Sequence, residues 1–336
     1  LSGGSIMTQS IRKETNPENT KKRIDFGSFL RSQGLLFMLI LMIIFFRFQS
    51  PEYFLTFDNA ITILVGATAL GIMASAQTPL IISGGIDVSV GSVVALTTVM
   101  VGKLLATGMP SWLVVLISLL IGTSIGLLNG FIVVQLGVNP FITTLGTMSL
   151  FSGLSFILSA GQTVSIRDPL FDWFLYTKVL KIPVLVIIVV FIMAFAYFIE
   201  RKTVVGRNIF AIGGNREAAR LSGISTKMLP LGLYMTSSLS AAIAGIVLVS
   251  QLGAASPQLG TSYLLAVVTA VILGGTSLAG GRGSVAGTAI AVGILATLSN
   301  GFAQMQLPSY GQTTALGAAL IIAVLVDQAS LKMKKG

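Results

Sequence analysis

The sequence predicts an all-α membrane protein of about ten transmembrane helices with both termini in the cytoplasm, and three observations predict it. Charged residues make up only 10% of the 336-residue chain and apolar ones 54%, with a mean hydropathy of +0.91, whereas a soluble protein carries about 25% charged residues. Apolar runs near the ~20 residues that a helix needs to cross a bilayer recur from one end to the other. Lys and Arg collect in segments that fall on one side of a ten-span path, as positively charged loops of membrane proteins do. Thirty-seven glycines fit the same class, since small residues let membrane helices approach closely.

Composition also excludes. The net charge of +10 marks loop orientation here rather than affinity for nucleic acid. The chain has no Cys and no His, which removes disulfides, thiol chemistry, imidazole proton relays and every Cys/His metal site.

Taken in order, residues 1–28 read as a polar cytoplasmic tail with Arg12, Lys13, Lys21, Lys22 and Arg23, lacking the apolar core of a signal peptide. Its opening LSGG echoes an ATPase signature, but nothing nucleotide-binding follows it. The membrane domain is expected over 29–330. Its spans are 29–48, 60–82, 88–106, 112–136, 141–160, 183–199, 231–251, 263–278, 284–302 and 313–326. The loop 161–182, with Arg167, Asp168, Asp172, Trp173 and Tyr176, suits an interfacial helix. Residues 331–336 close the chain as a second cytoplasmic tail carrying three lysines. On this path the inner side holds the N-terminal cluster, the loop at 200–230, Arg282 and the terminal lysines. The outer side holds little beyond Arg167, Lys178 and Lys181, with Lys103 near the outer end of its span.

Few stretches could carry chemistry. PLIISGGIDVSVGS (79–92) interrupts the apolar pattern with a Gly-Gly pair followed by Asp87, Ser89 and Gly91. Non-helical backbone at membrane depth survives only when buried in protein or lining an aqueous cavity, and an Asp there is a functional candidate. A cytoplasmic turn in which Asp87 caps the next helix fits the residues equally well. Gly122, Gly126 and Gly130 form one small stripe down a helix, a packing device, with Asn129 beside it able to bond across helices. In VNPFITTLGTMS (138–149), Asn139 and Pro140 mark a helix start, and Thr143, Thr144 and Thr147 either satisfy backbone carbonyls or face a polar pathway. LGGTSLAGGRGSVAG (273–287) reads as a tight inner turn around Arg282. No GxxxxGK[ST] occurs anywhere, so the chain has no phosphate-binding loop of its own. Without His or Cys, and with only isolated carboxylates in the spans, no acid–base pair of an intramembrane enzyme presents itself.

The segment at 200–230 is the main step into water between the ends. Arg201, Lys202, Arg207, Arg216, Arg220 and Lys227 face only Glu200 and Glu217. Within it, Asn215 reads as an N-cap, Glu217 as the favourable first-turn acid and Gly223 as the stop of a short helix. Ala218, Leu221 and Ile224 give that helix an apolar edge for a groove on a partner. A solvated basic loop against lipid headgroups is the other reading of the same residues.

GRNIFAIGGNREAARLSGI, together with IISGGIDVSVGS, NPFITTLGTMS and LGGTSLAGGRGS, resembles the permease subunits of bacterial ABC importers of the ribose type. The resemblance runs from about residue 29 to 327 with its motifs in order. It implies a multi-pass subunit of the bacterial inner membrane, without enzymatic activity, that dimerises with an identical or sister permease. It further implies a cytoplasmic ABC ATPase that binds the ATP and magnesium, no cofactor in the chain itself, and an extracytoplasmic solute-binding protein that delivers the solute. The family's coupling helix falls on Asn215, Arg216, Glu217, Ala218, Ala219, Arg220, Leu221 and Gly223, and Glu217-Ala218-Ala219 with Gly223 matches the start of the importer loop. Leu229-Pro230 follows sooner than in that pattern. Members similar to this chain move pentoses, hexoses or autoinducer-2. Acidic residues common after the seventh span of ribose permeases are absent from TSYLLAVVTAVILGG, which leans toward the autoinducer-2-like branch. A translocation path is expected to involve Asp87, Ser89, Asn129, Asn139, Thr143, Thr144 and Asn300. A secondary, ion-coupled transporter is the alternative, and it would have to use Asp87 as its intramembrane site.

Overall fold

Apolar segments with no water to bond to must satisfy their backbone internally, and helices do so within a single segment. The computed structural model describes residues 26–308 and individual positions between 310 and 325, with side chains from residue 34 onward. The chain divides into two units, Leu1–Gly34 and Leu35–Gly336. The described part of the first is the start of helix α1 (Phe26–Gln49). Eleven further α-helices follow among the described residues: α2 (Phe57–Ile82), α3 (Val90–Ala106), α4 (Ser111–Gly130), α5 (Pro140–Ser159), α6 (Pro169–Tyr176), α7 (Val184–Lys202), α8 (Val204–Gly214), α9 (Arg216–Leu221), α10 (Met228–Leu252), α11 (Tyr263–Leu273) and α12 (Val285–Gln304). A π-helical turn, Phe131–Gln135, extends α4.

Six of these helices are long and apolar enough to cross a membrane: α2, α4 with its π turn, α5, α7, α10 and α12. The protein is an all-α membrane protein. The tails expected at 1–28 and 331–336 lie outside the described residues, apart from Phe26, Gly27 and Ser28, which already belong to α1. Half of the span expected at 313–326 also lies outside them; the positions described there are helical.

Helix ends follow local chemistry. Thr56 caps α2 by accepting the Asn59 N–H, Asn139 caps α5 by accepting from Phe141 and Ile142, and Asp168 caps α6 by accepting from Leu170. Between α6 and α7, Lys178–Val179 pairs with Ile182–Pro183 around Leu180 and Lys181, both at positive φ, the geometry of a type I′ hairpin turn.

Helix α3 is the buried centre. From Val90 to Val99 every residue is buried, and α4, α5, α10 and α11 pack around it. Its core partners include Ile81, Ile125, Ala241, Leu248 and Val271. The small stripe on α4 faces α10: a Cβ on Gly126 would lie 2.5 Å from the Tyr234 carbonyl oxygen and 2.7 Å from the Met235 Cα, and one on Gly122 2.5 Å from the Ala242 Cβ.

The span expected at 263–278 is corrected by the structure. Helix α11 stops at Leu273 because Gly274 and Gly275 follow; Gly275 takes a φ of 89°, and Thr276 N–H turns back to the Val271 carbonyl. Eleven residues reach only about 16 Å, half the ~30 Å of a bilayer core. Non-helical chain precedes it. Residues 254–260 run beside α3, with Ala255 against Gly102, the Ser256 carbonyl accepting from Thr98 Oγ1 at 2.8 Å, and Gly260 against Gly91. Those three α3 positions are separated by about 16 Å along the helix. The chain over 254–273 is therefore half irregular and half helix, and Ala255, Ser256, Pro257 and Gly260 of the irregular half are buried, as non-helical backbone must be wherever it lies at membrane depth.

Candidate functional site

The interruption before α3 keeps Gly84 exposed but withdraws Asp87 from solvent. Residues 83–89 leave α2 through Ser83 and through Gly84 at a φ of 86°, and Asp87 is 0% exposed. Its Oδ1 accepts the Ser89 N–H at 2.9 Å and the Ser89 hydroxyl at 2.5 Å. Its Oδ2 lies 2.9 Å from Ser237 Oγ and 3.2 Å from Ser238 Oγ on α10. Gln77 of α2 donates to the Asp87 carbonyl at 3.1 Å and holds its own Oε1 2.9 Å from Ser237 Oγ. Asn129 of α4 donates to Ser89 Oγ at 2.9 Å and accepts from Thr147 of α5 at 2.8 Å. One buried polar network thus ties the entry of α3 to α2, α4, α5 and α10. Tyr234, 1% exposed, donates to the neighbouring Ile86 carbonyl at 3.4 Å.

The residues expected along a path separate into three places. Asp87, Ser89 and Asn129 belong to this network. Asn139 is exposed and spends its oxygen on capping α5; Thr144 is buried and bonds back to the Pro140 carbonyl, and Thr143 is buried beside it. Asn300 lies at the far end of α12, where it donates to Asn59 Oδ1 at 2.9 Å and Gln304 donates to the same oxygen at 2.7 Å. Asn59 and Gln304 open onto a cavity of about 390 Å³ shared with Tyr53, Asp58 and Thr62. Gln77, Ser237, Ser238, Asn59 and Gln304 escaped the sequence reading. A lone Gln in an apolar run was a usable signal for Gln77; nothing local announces the others.

The basic hairpin is built by α8 and α9. Asn215 caps α9 by accepting the Ala218 N–H at 3.0 Å. Gly223, at a φ of 79°, ends it: its N–H reaches the Arg220 carbonyl and that of Ile224 the Ala219 carbonyl, both at 3.0 Å, the pairing of a Schellman stop. Glu217 and Arg220 form an exposed ion pair at 2.6 Å, and the guanidinium holds the Glu217 carboxyl below its ordinary value. Arg216 ties α9 to the descending chain through the Thr226 carbonyl at 2.9 Å. Ala219 faces inward at 4% exposure, while Leu221 stands out at 75% with Ala218 exposed beside it and Ile224 half-buried. The outer face of α9 is thus an apolar tip flanked by an ion pair.

This hairpin is joined to the membrane helices by bare backbone. At the end of α8, a Cβ on Gly213 would collide with the Ile82 carbonyl at the end of α2, and one on Gly281 would come within 3.1 Å of the Gly214 Cα. The Gly281 N–H in turn donates to the Ile82 carbonyl at 2.8 Å. Ahead of α8, buried Glu200 accepts the Val285 N–H that opens α12 at 2.5 Å, and Arg201 pairs with Glu200 at 3.1 Å.

A polar network buried among long apolar helices and an exposed, capped hairpin seated on helix ends fit one class: the membrane subunit of a transport machine. The chain belongs to the family described as branched-chain amino acid transport system / permease component, whose model matches residues 59–326. It is 36% identical over 314 residues to the ribose import permease protein RbsC of Haemophilus influenzae, covering 92% of this chain and 97% of that one. It is 34% identical to the D-allose transport system permease protein AlsC of Escherichia coli K12, covering 92% and 95%. It is 37% identical to the autoinducer 2 import system permease protein LsrD of Escherichia coli O9:H4, covering 78% and 81%. No solved structure matches. The chain is a permease component and a multi-pass inner-membrane protein; ATP hydrolysis is not its own activity.

Proposed function

We propose that this chain is the membrane-spanning permease of an ATP-driven importer for a sugar or sugar-derived neutral solute, the pentose, hexose and autoinducer-2 class named among its relatives. It pairs with an identical or sister permease, receives solute from an extracytoplasmic binding protein, and is driven by a cytoplasmic ABC ATPase that holds the ATP and magnesium. Ten spans with both termini in the cytoplasm put the basic hairpin on the ATPase side. Asn215, Arg216, Glu217, Ala218, Ala219, Arg220, Leu221 and Gly223 form the coupling element. Solute passes the amides of Asn59 and Asn300 beside Asp58 at the outer end and the threonines of α5, a hydrogen-bonding lining suited to polyols. Asp87, Ser89 and Asn129 hold the helices that frame this path, and Gly122, Gly126 and Gly130 seat α4 on α10.

The observation that carries the reading is the seating of α8 and α9: an exposed docking tip whose base rests, without intervening side chains, on α2 and the loop before α12. The test is Glu217→Lys in the complete complex reconstituted in proteoliposomes. It removes the ion pair with Arg220 and places two cations side by side without touching the buried face of α9. Solute uptake should fall well below that of the parent while the chain still inserts and the complex still hydrolyses ATP. Uptake equal to the parent's refutes the coupling role.

A further inference from the structure

A recess of about 530 Å³ opens between α2, α7, α8 and α10, within the roughly 300–1,000 Å³ of ordinary small-molecule sites. Its walls are apolar almost throughout, with Ile72, Pro79, Phe195, Val205, Leu233 and Ile243 among them. Gly232 lines it too, and a Cβ built there meets nothing within 4 Å. A glycine inside a helix costs up to about 1 kcal/mol relative to alanine, so here an α10 residue without a side chain leaves the space open. A polyol would lose its hydration in such a recess and gain no partners. A hydrocarbon chain moving there from the bilayer has no hydration to lose and gains close packing against the cost of ordering its bonds.

The one charged residue in the lining is Glu200, paired with Arg201 at 3.1 Å, and cations adjoin that end of the recess in sequence. Its lining residues Glu200 and Met228 are followed or preceded in sequence by Arg201, Lys202 and Lys227, all exposed. Cations at the boundary of a membrane attract anionic headgroups. A second copy of this chain seated on the same face would bring the same cations against them.

We propose that the recess is the resident site of one anionic phospholipid, with an acyl chain between α7 and α10 and its phosphate against Arg201, Lys202 and Lys227. The test uses the full chain in nanodiscs of phosphatidylglycerol and phosphatidylcholine, with a phosphatidylglycerol carrying a diazirine on one acyl chain as probe. Photolabel should concentrate on the α7 and α10 peptides that line the recess. Gly232→Leu and, one turn on, Thr236→Leu should each reduce that label severalfold, because either side chain occupies space that the acyl chain would fill. Gly146→Leu, whose Cβ also meets nothing within 4 Å, should leave it unchanged. Replacing Arg201, Lys202 and Lys227 by Gln should erode the preference for phosphatidylglycerol over a phosphatidylcholine probe, by about fivefold per cation. Label spread evenly over the lipid-facing helices, or label indifferent to both recess-filling variants, overturns the proposal. So does disulfide cross-linking between copies through Gly232→Cys, a clean reporter in a chain without native cysteine, since a second protomer would then occupy the face.

Discussion

Replacing Asp87 separates what its carboxylate does as a shape from what it would do as a charge. Ser237 has one hydroxyl hydrogen and two acceptors at 2.9 Å, Asp87 Oδ2 and Gln77 Oε1. In Asp87→Asn the amide oxygen can keep the Oδ1 site and accept from the Ser89 N–H and hydroxyl. The amide nitrogen then sits at the Oδ2 site and donates to Ser237 and Ser238, freeing the Ser237 hydrogen for Gln77. The Ser238 hydroxyl turns back to a carbonyl of its own helix, as serines in helices do. Every member stays satisfied, so the change should cost less than about 1 kcal/mol, an average interhelical hydrogen bond in a membrane being worth roughly 0.6. Asp87→Ala leaves the buried Ser89 N–H without an acceptor, about 1–3 kcal/mol, and opens a small void that adds about another 1. Thermal unfolding in detergent, followed by the fluorescence of Trp112 and Trp173, should therefore place Asn within a few degrees of the parent and Ala well below it. Uptake by the reconstituted complex should survive in Asn. If Asn unfolds as early as Ala, or folds normally and transports nothing, the carboxylate is needed as an ion. The network argument then fails and ion coupling through Asp87 returns.

Two further outcomes test the backbone contacts. Gly126→Leu drives a side chain into the α10 backbone at Tyr234 and Met235 and should destabilise the chain by about 1–3 kcal/mol or more, read as a lower melting temperature, whereas Gly153→Leu, with open space around it, should not. Gly213→Ala collides with the Ile82 carbonyl while Gly214→Ala meets nothing; uptake at equal expression should fall in the first and hold in the second, and equal uptake would mean that the α8–α2 contact is not a working joint.

What could be read in advance was whatever rests on local signals. The cap at Asn215, the first-turn acid Glu217 and the stop at Gly223 lie within nine residues, and α9 has the bounds they set. Most span edges fall within a few residues of the apolar runs. The eighth did not, because hydropathy sees VVTAVIL continuing into Gly274 and Gly275 and cannot see irregular chain crossing beside α3. Nor can it separate Asn129, buried between two helices, from Asn139, exposed and capping one: the residue type is the same and the surroundings are supplied by other helices. The partners of Asp87 on α10 stand some 150 residues further along the chain, and two-residue β pairs such as Val164–Ser165 with Ala254–Ala255 leave no periodicity to find.

The joint and the network share one short piece of chain. Ile82, whose carbonyl receives Gly281 and abuts Gly213, ends α2; Asp87, which gathers Ser237 and Ser238, comes five residues later. Side chains can absorb a push by changing rotamer, but the contacts at Gly213, Ile82 and Gly281 are backbone to backbone and have no such slack. Any displacement of the α8–α9 hairpin is therefore met first by the end of α2 and the loop before α12. From Ile82 one loop leads to a carboxylate bonded directly to α10 at Ser237 and Ser238 and, by way of Ser89 and Asn129, to α4 and α5. A hairpin seated on side chains alone would deliver a push to one neighbour at a time; if the proposed coupling role holds, one seated on glycines should pass it to α2 and the loop before α12 together.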